Sequence, residues 1–238
     1  AREAVKLMGD LAVKYGYYLS GECHTVIDPN EAWIFFVHAT PTLRNAMWVA
    51  QRVPDDEVAV VANRITIREI DLSNPDYFMA SDNIFEIAKE QGWWDPADGP
   101  FDFQRAYDKV RETPPYYNLR RQWRVYDLLA PSRQFKTWVE DVYTTEYPFS
   151  IKPDKKVSLQ DLFRINRDHM EGTQFDLTKG PAAGPFGTPE RYGGGAGEKE
   201  VKGGWERAIS LNRTSYSYVI QSRSWLPDPI GGLVWYGP

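Results

Sequence analysis

Cysteine and histidine are scarce: Cys23 is the single cysteine in 238 residues, and His24, His38 and His169 are the only histidines. One thiol excludes an intrachain disulfide, and this Cys/His set falls short of a structural zinc ligand set, so no metal and no cofactor is expected. Positive charge is also in deficit, with 28 Lys and Arg against 33 Asp and Glu, a net charge of −5 and a pI near 5.3. That is the reverse of the basic footprint that phosphate neutralisation demands, so nucleic acid is excluded as a partner class. Long hydrophobic runs are missing as well. Ala32 to Val37 and Val58 to Ala62 are the longest, far below the roughly 20 apolar residues that cross a bilayer, and no membrane span is expected. Gly-rich stretches occur without a Walker pattern or a Gly-x-Gly-x-x-Gly between strand and helix, which argues against a nucleotide loop.

What is present is enough apolar sequence, 42% of residues, to bury a real core. Ala4, Val5, Met8, Leu11, Ala12 and Tyr15 recur at helical spacing, with Gly16 where a C-terminal cap belongs. Cys23 to Ile27 and Ala32 to Val37 are β-rich runs around Asp28-Pro29-Asn30-Glu31, a turn sequence that predicts a hairpin. Met47 to Val53, Val58 to Ala62 and Thr66 to Ile70 continue the strand pattern, with Pro54-Asp55-Asp56 as the next turn. Five strands in series suggest an antiparallel sheet.

Beyond Pro75 the character changes. Ser81 to Glu90, Phe103 to Arg111 and Tyr116 to Leu129 have helical spacing, with Pro114 and Pro115 separating the last pair. This stretch, about 76–147, reads as a helical insertion in a single domain covering 1–238. Ser158-Leu159-Gln160-Asp161 reads as a capped helix start, with the helix running to His169 or Met170 and Gly172 ending it. A Gly/Pro-rich surface loop spans about 180–204, including Gly193-Gly194-Gly195. Arg207 to Asn212, Ser215 to Ser222 and Leu233 to Tyr236 return to strand composition, with a corner at Trp225-Leu226-Pro227-Asp228-Pro229. The overall class is α+β.

Three constellations invite chemistry and have plainer explanations. Cys23-His24 offers a nucleophile beside a base, but adjacent strand residues point to opposite faces, and a half-buried cysteine on a strand is the commoner case. Arg167-Asp168-His169-Met170-Glu171 has acid and base side chains, yet Asp168 and His169 lie about 100° apart on a helix and the i, i+4 pairing of helical metal ligands is not met. A histidine at a helix C-terminus, favoured by the dipole, is the simpler reading. The nine tryptophans are scattered over strands, turns and helices, as core and corner packing would have them.

Several stretches together resemble one family. They are Ala1-Arg2-Glu3-Ala4 with Tyr15-Gly16-Tyr17, Asp28-Pro29-Asn30-Glu31-Ala32-Trp33-Ile34, Trp48-Val49-Ala50-Gln51-Arg52-Val53-Pro54-Asp55 and Ala62-Asn63. The series continues with Lys152-Pro153-Asp154-Lys155-Lys156, Arg167-Asp168-His169, Glu171-Gly172-Thr173 and Ser222-Arg223-Ser224-Trp225-Leu226-Pro227-Asp228-Pro229. In this order they resemble the dipeptidase A family of lactobacilli and related bacteria, also called peptidase family C-sixty-nine, to which the secernins are related.

The resemblance implies an N-terminal-nucleophile hydrolase: an αββα sandwich of two antiparallel sheets between helical layers, incomplete in this chain, whose mature form begins with Cys and cleaves dipeptides without a metal. A free α-amino group, with a reference pKa of roughly 7.7–8.0, can take the thiol proton of its own residue and return it to the leaving amine. The implied partners are a dipeptide substrate and an N-terminal Cys-bearing segment of the same protein; homo-oligomerisation and compartment stay open.

Compared with the family, the sequence is expected to begin downstream of that cysteine, as an internal fragment that is inactive alone. It has no initiator Met and no signal-peptide pattern. Cys23 does not correspond to the family's nucleophile. By the resemblance, Asn63 matches the asparagine that donates to a developing oxyanion, and Arg207 matches an arginine that favours the thiolate. The plainer readings are an Asn in a strand-ending turn and an Arg paired with a carboxylate. Two rival functions remain: an amide hydrolase acting on N-acyl substrates, and a non-catalytic structural or interaction protein on the same fold.

Overall fold

The computed structural model describes residues 1–18, 21–108, 115–187 and 206–237. It is a mixed chain of helices and antiparallel sheets that divides into two compact units. One is built from Ala1–Val110 with Pro148–Lys152 and Ser222–Pro227, the other from Arg111–Tyr147, Pro153–Gln221 and Asp228–Pro238.

The first unit is organised by helix α1 (Arg2–Tyr15) and strands β1 (Glu22–Ile27), β2 (Ala32–Ala39), β3 (Ala46–Val53) and β5 (Phe78–Ala80), which pair in the order β1-β2-β3-β5, antiparallel throughout. The predicted hairpin is there, with Ile27 opposite Ala32. The Asp28 carboxylate accepts the Asn30 and Glu31 backbone N–H groups at 2.7 and 2.9 Å, and the Asp28 N–H donates to the Glu31 carbonyl at 3.0 Å. The Pro54 turn likewise closes, with the Glu57 N–H donating to the Pro54 carbonyl.

Alternation along β2 and β3 explains why both are apolar without interruption. Trp33, Phe35 and Val37 join Ala46, Trp48 and Ala50 on the face that receives α1 through Val5, Met8 and Ala12. Ile34 and Phe36 join Met47, Val49 and Val53 on the opposite face. There they meet Ile84 and Ala88 of helix α2 (Ile84–Glu90), and Phe103, Ala106 and Tyr107 of helix α3 (Phe103–Tyr107). A strand covered on both faces has no polar side to alternate with.

Three expected strands are corrected. Val58 to Ala62 shrinks to β4 (Val58–Ala59), which pairs antiparallel with β6 (Ser150–Ile151). Thr66 to Ile70 forms no ladder although Thr66 and Ile67 are buried; the Arg68 carbonyl instead accepts from the Phe103 N–H at the start of α3 at 2.9 Å. Arg207 to Asn212 is irregular too.

The second unit holds helix α4 (Pro115–Leu129), helix α5 (Leu159–Ile165), the single-turn α6 (Asp228–Gly231) and a pair of strands, β7 (Ser217–Ser222, its last residue counted with the first unit) and β8 (Gly232–Gly237). α4 starts at Pro115, as the prolines require. Ser158 caps α5 in a reciprocal box: its hydroxyl accepts from the Asp161 N–H, and the Asp161 carboxylate accepts from the Ser158 N–H. The helix stops at Ile165, one turn earlier than expected, so His169 does not sit on it. The 180–204 loop contains a short 3₁₀ turn at Pro181–Ala183; Gly193 to Gly195 lie outside the described residues.

Candidate active site

Asn63 lies in the first unit, on a bend beyond β4, at φ 56°. A non-glycine residue holds that left-handed conformation at some cost, and Asn is among the few that tolerate it. The bend is anchored at Ile65. The Ile65 N–H donates to the Asp108 carboxylate at 3.0 Å, and the Gln104 side-chain amide donates to the Ile65 carbonyl. Gln104 and Asp108 are four apart, at α3 and its C-terminal cap, so both reach the backbone of the same residue, one at each of the two peptide groups that flank its Cα. Burial pushes the Asp108 carboxyl up to about 6, with the Ile65 N–H and the Arg64 charge pulling the other way. Periodicity could not reveal this pair, because its partner is a backbone group some forty residues back; the polar positions on an otherwise apolar α3 were the only trace.

Arg207 lies in the second unit, on an irregular segment fixed at both ends. Before it, Glu206 accepts from Nε of Arg120 at 3.0 Å. After it, Ala208 is buried with Leu177 and Ala182, and the Ser210 N–H donates to the Asp168 carbonyl at 3.1 Å. The Arg207 guanidinium lies over the Tyr117 ring, 5.2 Å from its centroid, and Nη1 donates to the Tyr117 hydroxyl at 3.4 Å. No carboxylate among the described residues pairs with Arg207, and its buried Nε has no hydrogen-bond acceptor among them. The plainer alternative, an Arg paired with a neighbouring carboxylate, is not what the described residues hold: the adjacent carboxylate, Glu206, is taken by Arg120.

Arg120 is itself enclosed, 3.5 Å above the Phe175 ring and flanked by Trp123 and Trp138. Burial pulls its guanidinium below the ordinary arginine value, and Glu206 opposes that shift. One helical turn on, Arg124 grips Asp168 through Nε and Nη2 at 2.7–3.0 Å and donates to the Glu171 carbonyl at 2.8 Å. Asp168 is therefore the anchor of a buried ion pair rather than an acid–base group, while His169 Nδ1 lies 3.2 Å from Glu171.

Cys23 and His24 face opposite sides of the sheet, opposite Phe36 and Phe35 respectively. Cys23 packs into the apolar cluster around Ile34 and Phe36. Burial, then the Glu22 charge, pushes its thiol up to about 12, so it is protonated at neutral pH and a poor nucleophile. His38 packs against Phe103 and Tyr107, and burial lowers it to about 4. Among the described residues no group of His, Cys, Asp and Glu is arranged to hold a metal ion, and no helix is long and apolar enough to cross a membrane.

Helices and antiparallel sheets, with a half-buried cysteine whose thiol stays protonated, define an α+β chain. Residues 1–237 match the model of Peptidase family C69, and the chain belongs to that family. A probable dipeptidase of Latilactobacillus sakei is 31% identical over 237 residues, covering 100% of this chain and 44% of that protein. A probable dipeptidase of Salmonella dublin is 30% identical, covering 98% and 47%, and dipeptidase A of Lactobacillus helveticus is 24% identical, covering 100% and 45%. The chain thus spans less than half the length of these curated relatives.

Proposed function

We propose that the protein to which these residues belong hydrolyses dipeptides through an acyl-enzyme formed on an N-terminal cysteine supplied from outside this sequence. Family membership over residues 1–237 carries the reading, together with relatives named as dipeptidases. The state of Cys23 supports the second part, since a half-buried thiol held at about 12 is a poor nucleophile near neutral pH. An antiparallel sheet with α1 laid along one face supports placing the chain in an αββα sandwich of the N-terminal-nucleophile class.

In this scheme the α-amino group takes the cysteine's proton and the thiolate attacks the peptide carbonyl. The carbonyl π electrons move to oxygen, where the Asn63 amide donates to the oxyanion. Collapse breaks the C–N bond, the α-ammonium returns its proton to the leaving amine, and water then cleaves the thioester. Arg207 favours the thiolate and the developing negative charge, a role supported by its lack of a carboxylate partner among the described residues.

The test is an assay of the complete protein on dipeptides and on N-acyl amino acids. Release of both amino acids from dipeptides, with N-acyl substrates turned over far more slowly, is the expected result. The reverse preference would make the protein an amide hydrolase, and no turnover of either would leave the non-catalytic role.

A further inference from the structure

We propose that Tyr117 is a positioning residue for Arg207, and that the Arg120–Glu206 pair fixes the backbone from which Arg207 projects; this rests on the catalytic reading of Arg207 given above. Tyr117, Arg120 and Arg124 are spaced i, i+3, i+7, so they share one face of α4. Each contacts the same stretch of chain or its anchor. Tyr117 meets Arg207, Arg120 meets Glu206, and Arg124 meets Asp168, whose carbonyl receives the Ser210 N–H.

The chemistry of the three contacts differs in an informative way. Arg120 and Arg124 each end on a carboxylate, which cancels charge. Arg207 ends on an aromatic face and a phenolic oxygen, which restrict its rotamers while leaving its full positive charge. Engagement of Glu206 by Arg120 occupies the carboxylate that adjoins Arg207 in sequence. A guanidinium steadied by a neutral partner, with a buried Nε lacking an acceptor among the described residues, is arranged to meet an anion that arises during the reaction.

A double-mutant cycle on the complete protein tests this, with kcat and KM measured on a dipeptide and folding checked by Tm. Tyr117→Leu in the unaltered background is expected to lower kcat/KM on the order of tenfold, chiefly through kcat, with Tyr117→Phe losing less because it keeps the ring. In the Arg207→Lys background the Tyr117→Leu loss is expected to shrink to about twofold. An equal loss in both backgrounds, or no loss from either Tyr117 variant in the unaltered background, overturns the positioning role. If Arg207→Lys alone keeps full kcat/KM, the catalytic reading of Arg207 falls and the proposal with it. Tyr117→Phe is the milder variant that keeps the cycle interpretable should the leucine variant unfold.

Discussion

Gly9 of α1 faces the indole of Trp48 so closely that a Cβ on Gly9 would lie 2.1 Å from Trp48 Cε2. The helix thus seats on the sheet through a missing side chain. Gly9→Ala is normally worth up to about 1 kcal/mol of added helix propensity. Here the overpacking term wins, and a net loss of about 1–3 kcal/mol is expected in denaturant unfolding. Combining it with Trp48→Leu should recover part of that loss relative to the sum of the single changes; strict additivity would show that the two residues do not clash.

That contact also shows what sequence periodicity could and could not deliver. The existence of α1, the Asp28 hairpin and the Ser158 cap were legible, because each is decided by residues within a few positions. The buried face of α1 was less so. Leu11 and Tyr15 were counted among its apolar positions, yet Leu11 is 44% and Tyr15 73% exposed, while Val5 and Gly9 are buried. A buried glycine carries no hydropathy signal. Thr66 to Ile70 misled for a related reason: β-branched residues mark burial in extended chain, and this extended chain meets the backbone at the start of α3 instead of a strand. Asn63 and Arg207 are singled out only by resemblance, since nothing local in the sequence distinguishes them, and the neighbours Asp108, Tyr117 and Arg120 that fix their segments depend on contacts far apart in sequence.

Asp108 makes stability depend on pH. Its folded-state pKa of about 6 exceeds the unfolded value of about 3.9, so the folded protein binds more protons between them, and this contribution is lost as pH rises through that window. Asp108→Asn keeps an oxygen for the Ile65 N–H and removes the titration. The stability of the unaltered protein relative to Asp108→Asn is expected to fall by on the order of 2 kcal/mol between pH 4 and pH 7. A constant difference in urea unfolding across that range would contradict the burial argument.

The Arg124–Asp168 pair is buried on both sides, with 8% and 7% of the side chains exposed. Asp168→Asn leaves a buried guanidinium with reduced compensation and is expected to cost about 3–5 kcal/mol. Replacing both partners together by apolar residues should cost less than Asp168→Asn alone. Equal or larger loss in the double variant would mean that the pair itself, rather than the stranded charge, supplies the stability.

Cys23→Ala in the complete protein is expected to leave kcat/KM within about twofold of the unaltered value. Iodoacetamide at neutral pH should label Cys23 slowly in the native state and readily after denaturation. A large activity loss without a fall in Tm would restore Cys23 to the chemistry.

The Ile65 N–H is held by Asp108, and the Ile65 carbonyl by Gln104, instead of by a neighbouring strand. The Ile65 amide proton should therefore exchange with deuterium at a rate set by how often the end of α3 lifts away, independent of fraying anywhere in the sheet. That single amide is a built-in gauge of whether the bend carrying Asn63 is seated, readable in the resting protein without substrate.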